Sequence, residues 1–230
     1  MKKKEKMRKS GHFSRQLKLY LFNSLNYPIL ASDLERLASR LFCLWDGAVP
    51  AFYSQGFPYS ICVSLENIAV HGKPGDYLLA KGMIVTIDLG VNYLGYFSDT
   101  AFTRIVGNTS LVDSMKNEKL FFLRRNNLLL AAERALKRSA RLLKQGIEVG
   151  EITSLIYSEI TSSGYFSSPF YGGHGIGRRL HMPPFIPNVP NKLSSLKKND
   201  GKIILKTGNY ICIEPIVFER PPKLKISSDG

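Results

Sequence analysis

Apolar and polar positions follow two rhythms along this chain, and the changes between them predict its elements. Residues 1–22 read as a basic amphipathic helix. Leu34, Leu37, Leu41 and Leu44 recur at helical spacing. Ser32 and Glu35 have the separation of a capping box at the start of that run, and Asp46-Gly47 ends it. Trp45 and Cys43, at this end, read as core or near-core residues. From Phe57 to Val106 the rhythm shortens to apolar runs broken by turn signals. Ser60–Ser64 and Met83–Val91 are strand-like, punctuated by Gly82 and Gly95. Phe121, Leu128, Ala132, Ala135, Leu136, Leu142 and Leu143 then predict one apolar stripe of a long helix, with Arg134, Arg138 and Arg141 on its other side. Gln145-Gly146 closes it. Glu148 to Ser162 is a shorter helix closed by Gly164. Beyond Tyr171 come strand and loop, with Pro183, Pro184, Pro187 and Pro190 in a stiff connection and a final strand from Tyr210 to Phe218.

Strands and helices mixed without strict alternation predict an α+β fold. No repeat and no linker divides the chain, so residues 1–22 are expected to belong with residues 23–230 in a single domain. Composition narrows the class. With 230 residues, 44% hydrophobic and 22% charged, the chain is neither disordered nor collagen-like. Three cysteines without a CxxC pair exclude a disulfide framework and a zinc ribbon, and suit a reducing compartment. There is no apolar run of spanning length and no secretory leader, so a soluble cytoplasmic protein without membrane contact is expected. The net charge of +14 is concentrated: +5 in residues 1–10, +7 in 116–144 and +4 in 191–210. Such clusters attract polyanions or form solvated faces. No base-reading motif accompanies them, which leaves a ribosome or another RNA surface as the candidate contact.

A few residues stand out for chemistry. Asp88 ends an otherwise apolar strand, and Asp99 follows eleven positions later across the turn signal Asn92 to Gly95. A hairpin would bring these carboxylates together, where they form either a structural turn pair or a cation site. His174 lies among the glycines of Tyr171-Gly172-Gly173-His174-Gly175-Ile176-Gly177, with His181 seven residues on. Glu214 is a single acid in Tyr210–Ile216, followed by Pro215. Each alone reads equally well as structural. Together, two Asp, a His and a Glu form the oxygen-plus-imidazole set that holds divalent metals.

The order of these pieces carries a resemblance. Val70-His71-Gly72, Ile87-Asp88 with Asp99-Thr100, Gly173 to Gly177 with His181, and Ile213-Glu214-Pro215 resemble the type I methionine aminopeptidases. Lys6-Met7-Arg8 to Gly11 is similar to that family's first helix, so the likeness spans essentially the whole chain. It implies a pita-bread fold, with two related α+β halves around a central metal site for two divalent ions. It implies Asp88, Asp99, His174 and Glu214 as metal ligands. His71 and His181 are then the non-ligand histidines that meet substrate and the tetrahedral intermediate. Phe57, Cys62 and Leu180 match positions near the methionine side-chain pocket, although each alone also suits core packing. The implied activity is removal of the N-terminal methionine of nascent proteins by hydroxide attack on the first peptide bond. Glu214 would take up the proton, and His71 and His181 would donate hydrogen bonds. O/N ligands admit Mn, Fe, Co or Zn. A monomer is expected.

Several positions depart from the family. Met182 follows His181 where an acid is common, Asn191 to Lys206 is a basic insertion, and Ala51–Gln55 replaces a loop that brings a cysteine and an aromatic to the pocket. The family's fifth ligand is a glutamate on a later strand, and only Glu219, five residues after Glu214, follows here. The expectation is a C-terminally incomplete chain, ending in the turn Ser227-Ser228-Asp229-Gly230, with one metal position weakened and turnover impaired. Two other readings stay open: a catalytically weak relative that binds RNA, ribosomes or protein, and an aminopeptidase that cleaves before proline.

Overall fold

The basic N-terminal stretch forms helix α1 (Lys3–Ser24), whose buried positions Met7, Ser10, Ser14, Leu17 and Leu21 are spaced by three and four. The computed structural model describes residues 1–107, 116–190 and 202–227. These residues divide into two compact units: Met1–Asn126 with Ile176–Met182, and Asn127–Gly175 with Pro183–Gly230.

In the first unit, β1 (Ile29–Leu30), α2 (Ala31–Cys43), β2 (Ala48–Pro50), a 3₁₀ turn (Ala51–Gln55), β3 (Ile61–Leu65), β4 (Leu78–Leu79), β5 (Ile84–Tyr93) and β6 (Tyr96–Ile105) follow α1. Antiparallel β5 pairs with β6 along its whole length and with β2 and β3 in succession, while β1 pairs with β4. Alternation along β5 turns Val85, Ile87, Leu89, Val91 and Tyr93 into a core with Leu17 and Leu21 of α1 and Leu34 and Ala38 of α2. Asp88 and Gly90 therefore face the opposite side. Two serines let α1 lie close to the sheet: the Ser10 hydroxyl donates to Val91 O at 2.7 Å, and the Ser98 hydroxyl meets Ser10 at 2.7 Å and Ser14 at 2.6 Å.

The second unit takes most of α3 (Lys116–Leu142), together with α4 (Val149–Ser162), β7 (Gly172–Gly175) and all but the first residue of β8 (Met182–Pro187). Ala135 of α3, Val149, Ile152, Ile156 and Ile160 of α4, and Ile147, Ile186 and Leu205 make its core. Glu148 and Glu151 form a reciprocal capping box on α4. β7 and β8 pair, so the prolines expected in a connection lie partly in a strand. Pro183, Pro184 and Pro187 all lie on β8, the outer strand of the pair, where a missing N–H costs fewer ladder bonds.

The α+β class stands, and the structure corrects several local expectations. The N-cap of α2 is Leu30, and no side chain caps it. Ser32 lies inside the helix, and the Glu35 carboxylate instead accepts from Ser60 N at 2.8 Å, Ile61 N at 3.2 Å and the Ser39 hydroxyl at 3.1 Å. Leu44 and Cys43 are exposed because α2 ends at Cys43. On α3 the buried positions are Phe122, Ala131, Ala135 and Ser139, while Phe121, Leu136 and Leu143 of the expected stripe are exposed. Small residues bring that side of the helix into close packing and leave longer apolar side chains outside. The expected strand Tyr210–Phe218 is an extended segment with single bridges at Ile211 and Phe218; Pro215, lacking an N–H, cannot continue a ladder. Residues 191–201 of the basic insertion, and the turn at 228–230, lie outside the described residues.

Candidate functional site

The β5–β6 hairpin turns through Leu94 and Gly95, at φ +48° and +77°, with Gly95 N donating to the Asn92 side chain at 3.0 Å. This turn fixes the register: Gly90 opposes Asp99 and Asp88 opposes Ala101. Asp88 and Asp99 thus share the face turned away from the core, as diagonal neighbours. On the other side of β5, Cys62 of β3 directly opposes Asp88. Burial pushes the Cys62 thiol upward from its ordinary pKa, and the nearby charges of Asp88, Asp99 and Glu35 add to the effect. Gly90 keeps this face open to close packing. A Cβ there would fall 2.7 Å from the Ala51 methyl and 2.9 Å from Ser98 O, with Leu180 Cδ1 at 3.8 Å. Leu180 is buried, and the half-buried ring of Phe57 meets Phe52 and Tyr59 edge-on. Phe57, Cys62 and Leu180 all belong to the first unit.

The segment Val70-His71-Gly72 returns onto β3. Val63 N donates to Gly72 O at 2.8 Å, and Gly72 N donates to the Ser64 hydroxyl at 3.1 Å. His71 has a left-handed backbone, φ +56°, and an exposed imidazole. His181 is exposed too. Its segment, Ile176–Met182, is held to the start of β6 by Phe97 N donating to Gly177 O at 2.8 Å and by Arg178 over the Tyr96 ring.

In the second unit, His174 and Cys212 exchange both backbone hydrogen bonds: His174 N to Cys212 O at 3.2 Å, and Cys212 N to His174 O at 2.7 Å. A Cβ on Gly173 would lie 2.0 Å from Cys212 O, so only glycine permits this approach. The buried His174 ring donates Nδ1–H to Gly175 O at 3.0 Å and turns Nε2 toward Glu214 Oε1, also at 3.0 Å. Fully buried Asn188 donates to Glu214 O at 2.8 Å and fixes the backbone of that residue.

This donor set fits a divalent cation. An imidazole whose Nδ1–H is held by a backbone carbonyl is fixed in the tautomer that ligates a metal through Nε2. That lone pair faces a carboxylate oxygen, and two acceptors at this distance need a cation or a proton between them. Cys212 stands with this pair: the ligand atoms of His174, Cys212 and Glu214 lie within 4.8 Å of one another. The structure thus groups Cys62, Asp88 and Asp99 in the first unit, and His174 with Glu214 in the second. Sequence reasoning passed over Cys212, although its spacing two residues before Glu214 puts both on one side of an extended segment. It also passed over Ser64 and Asn188, which support the site through backbone contacts that no motif announces.

The profile of metallopeptidase family M24 matches residues 5–228. Two relatives, the methionine aminopeptidase of Helicobacter pylori and methionine aminopeptidase 1 of Bacillus subtilis, are each 32% identical over 97% of this chain, covering 82% and 83% of their own lengths. The crystal structure of a methionine aminopeptidase from Thermotoga maritima superimposes with a TM-score of 0.82 at 29% identity, covering 99% of this chain and 84% of that one. Prolidase from Pyrococcus furiosus, at 22% identity and a TM-score of 0.73 over 93% of this chain and 55% of its own, shares the fold alone.

Proposed function

The chain belongs to metallopeptidase family M24, and from that premise we propose that it is an aminopeptidase that removes N-terminal methionine from newly made polypeptides. The observation that carries this reading is the near full-length likeness to methionine aminopeptidases; the His174–Glu214 pair supports its metal requirement. Asp88, Asp99, His174 and Glu214 are the proposed ligands of two divalent ions, drawn from Mn, Fe, Co or Zn. Such ions supply Lewis acidity, polarising the first peptide carbonyl and making water acidic enough to attack near neutral pH.

The remaining work falls to this chain's own side chains. Glu214 takes the proton of the attacking water. His71 and His181, both with exposed imidazoles, donate hydrogen bonds to the charge that develops on the carbonyl oxygen and to the departing amide nitrogen. Phe57, Cys62 and Leu180 receive the methionine side chain, since Cys62 and Leu180 are buried apolar groups and Phe57 is an aromatic wall beside Phe52. The partners are nascent N-termini in the cytoplasm, with the basic segments touching ribosomal RNA.

Cleavage of short peptides by the metal-loaded protein tests the reading. Peptides beginning Met-Ala or Met-Gly should lose their first residue, and Ala-Pro peptides should not be cut. Preferential release ahead of proline would move the chain to the proline-directed peptidases of the same fold. Asp99→Asn should lower metal stoichiometry and activity together while circular dichroism stays unchanged, and an unaltered metal content would remove Asp99 from the ligand set.

A further inference from the structure

We propose that Cys212 is a metal ligand, so that the second unit offers one divalent ion an imidazole nitrogen, a thiolate sulfur and a carboxylate oxygen. The proposal rests on the metallopeptidase reading and goes beyond the ligands that reading names.

The argument begins with the backbone. His174 and Cys212 form a hydrogen-bonded pair of directly opposed residues, so their side chains leave on the same face, about 5 Å apart at Cβ. The pair continues as an antiparallel bridge between Gly175 and Ile211, and Glu214, two residues beyond Cys212, returns to that same face. Gly173 opposite Ile213 lets the two segments approach this closely. Three different ligand atoms therefore converge from two short backbone segments, all within 4.8 Å of one another. A single ion among atoms so spaced can bond to each with little movement. Two further contacts hold the arrangement: Nδ1–H of His174 is committed to Gly175 O, and Asn188 holds Glu214 O. On binding, the Cys212 thiol gives its proton to solvent and its sulfur lone pair to the ion. A sulfur donor selects among the ions that oxygen and nitrogen alone admit: it favours thiophilic Zn and Co over Mn.

Cobalt reports the bond directly, because thiolate ligation produces an intense sulfur-to-cobalt charge-transfer band in the near ultraviolet. The metal-free protein is titrated with Co²⁺ as wild type and as Cys43→Ser, Cys62→Ser and Cys212→Ser. The band should appear in the first three and be lost in Cys212→Ser, whose Co²⁺ affinity should fall at least about tenfold. A band that survives in Cys212→Ser, or that is absent from wild type carrying cobalt, overturns the proposal, as does its loss in Cys62→Ser alone. Loss of the band from a Cys212→Ser protein that still cleaves Met-Ala peptides supports the proposal and leaves the aminopeptidase reading intact. Failure of wild type to take up any metal would sink both. Should Cys212→Ser not fold, alkylation of wild type decides: Zn²⁺ should shield Cys212 while exposed Cys43 stays reactive, and equal labelling of Cys212 with and without Zn²⁺ overturns the assignment.

Discussion

At Gly72 a Cβ would sit 2.1 Å from the carbonyl oxygen of Val63, and at Gly173 it would sit 2.0 Å from that of Cys212. Both obstacles are backbone, which cannot rotate aside. Gly72→Ala and Gly173→Ala should each cost at least about 2 kcal/mol, because the segments bearing His71 and His174 must move away from their neighbours. Gly11 has nothing within 4 Å of its Cβ direction and lies in the body of α1. Gly11→Ala should therefore stabilise by about 0.5–1 kcal/mol, and urea unfolding of the three variants side by side checks both signs. Tyr77 supplies a pH dependence. Its hydroxyl faces Val63 O at 3.2 Å and Lys73 O at 2.9 Å, and burial raises its pKa above the ordinary 10.0. The folded state then keeps a proton that the unfolded chain releases. This contribution is complete below pH 10.0 and is lost as pH rises from there through the folded value. Tyr77→Phe should flatten the alkaline decline in stability, and an unchanged slope would assign that decline to other groups.

At the scale of elements, Glu35 shows how tertiary contacts override a local signal. Three residues after Ser32 it has capping-box spacing, yet its carboxylate spans from α2 to the amides that open β3. Glu35→Ala would leave Ser60 N and Ile61 N without their acceptor, costing about 2–3 kcal/mol. Glu35→Gln, which keeps one carbonyl oxygen, should cost less, and thermal unfolding that ranks the two equally would contradict this role. The hairpin was legible because its turn chemistry is local: Asn92 and Gly95 set the register, and the register sets the two aspartates. The long helix was legible as a helix, but its buried side only in part: Ala135 and Leu142 belong to the expected stripe, whereas Phe122, Ala131 and Ser139 do not. Beyond Phe122, alanines and Ser139 make that side, and burial there depends on how closely the neighbouring element approaches. Ser10 and Ser14 are a further case: they are polar residues of α1, yet they are buried against the sheet. At the candidate site, His174 and Glu214 stood out as isolated polar residues in glycine-rich or apolar surroundings. Cys212 did not, since a cysteine within an apolar run looks like core until a backbone pairing sets it opposite a histidine.

For the whole molecule, the net charge of +14 is unevenly available. On α3, Lys137 pairs with Glu133, Arg138 with Glu159, and Arg134 donates to the Ser163 hydroxyl. Two of those cations are already partly neutralised. At the N-cap and on the first turns of α1, Lys2, Lys4 and Arg8 are exposed, while Lys6 and Lys9 lie near the Tyr96 and Tyr93 rings. A polyanion gains most from cations that carry no acidic partner, because each phosphate it neutralises releases a counterion. If the proposed ribosome contact uses this charge, α1 should dominate it. Binding to ribosomes should weaken steeply with salt. Replacing Lys2, Lys4 and Arg8 together by Gln should reduce the slope of log affinity against log salt by about 2–3, at roughly 0.7–0.9 per phosphate contact. Replacing Lys137 and Arg138 should change it less, since each loss also frees a glutamate. Cosedimentation across a salt series measures both slopes. Absence of binding at low salt would leave the charge as a solvated face, and equal effects from the two helices would show that α1 does not dominate the contact.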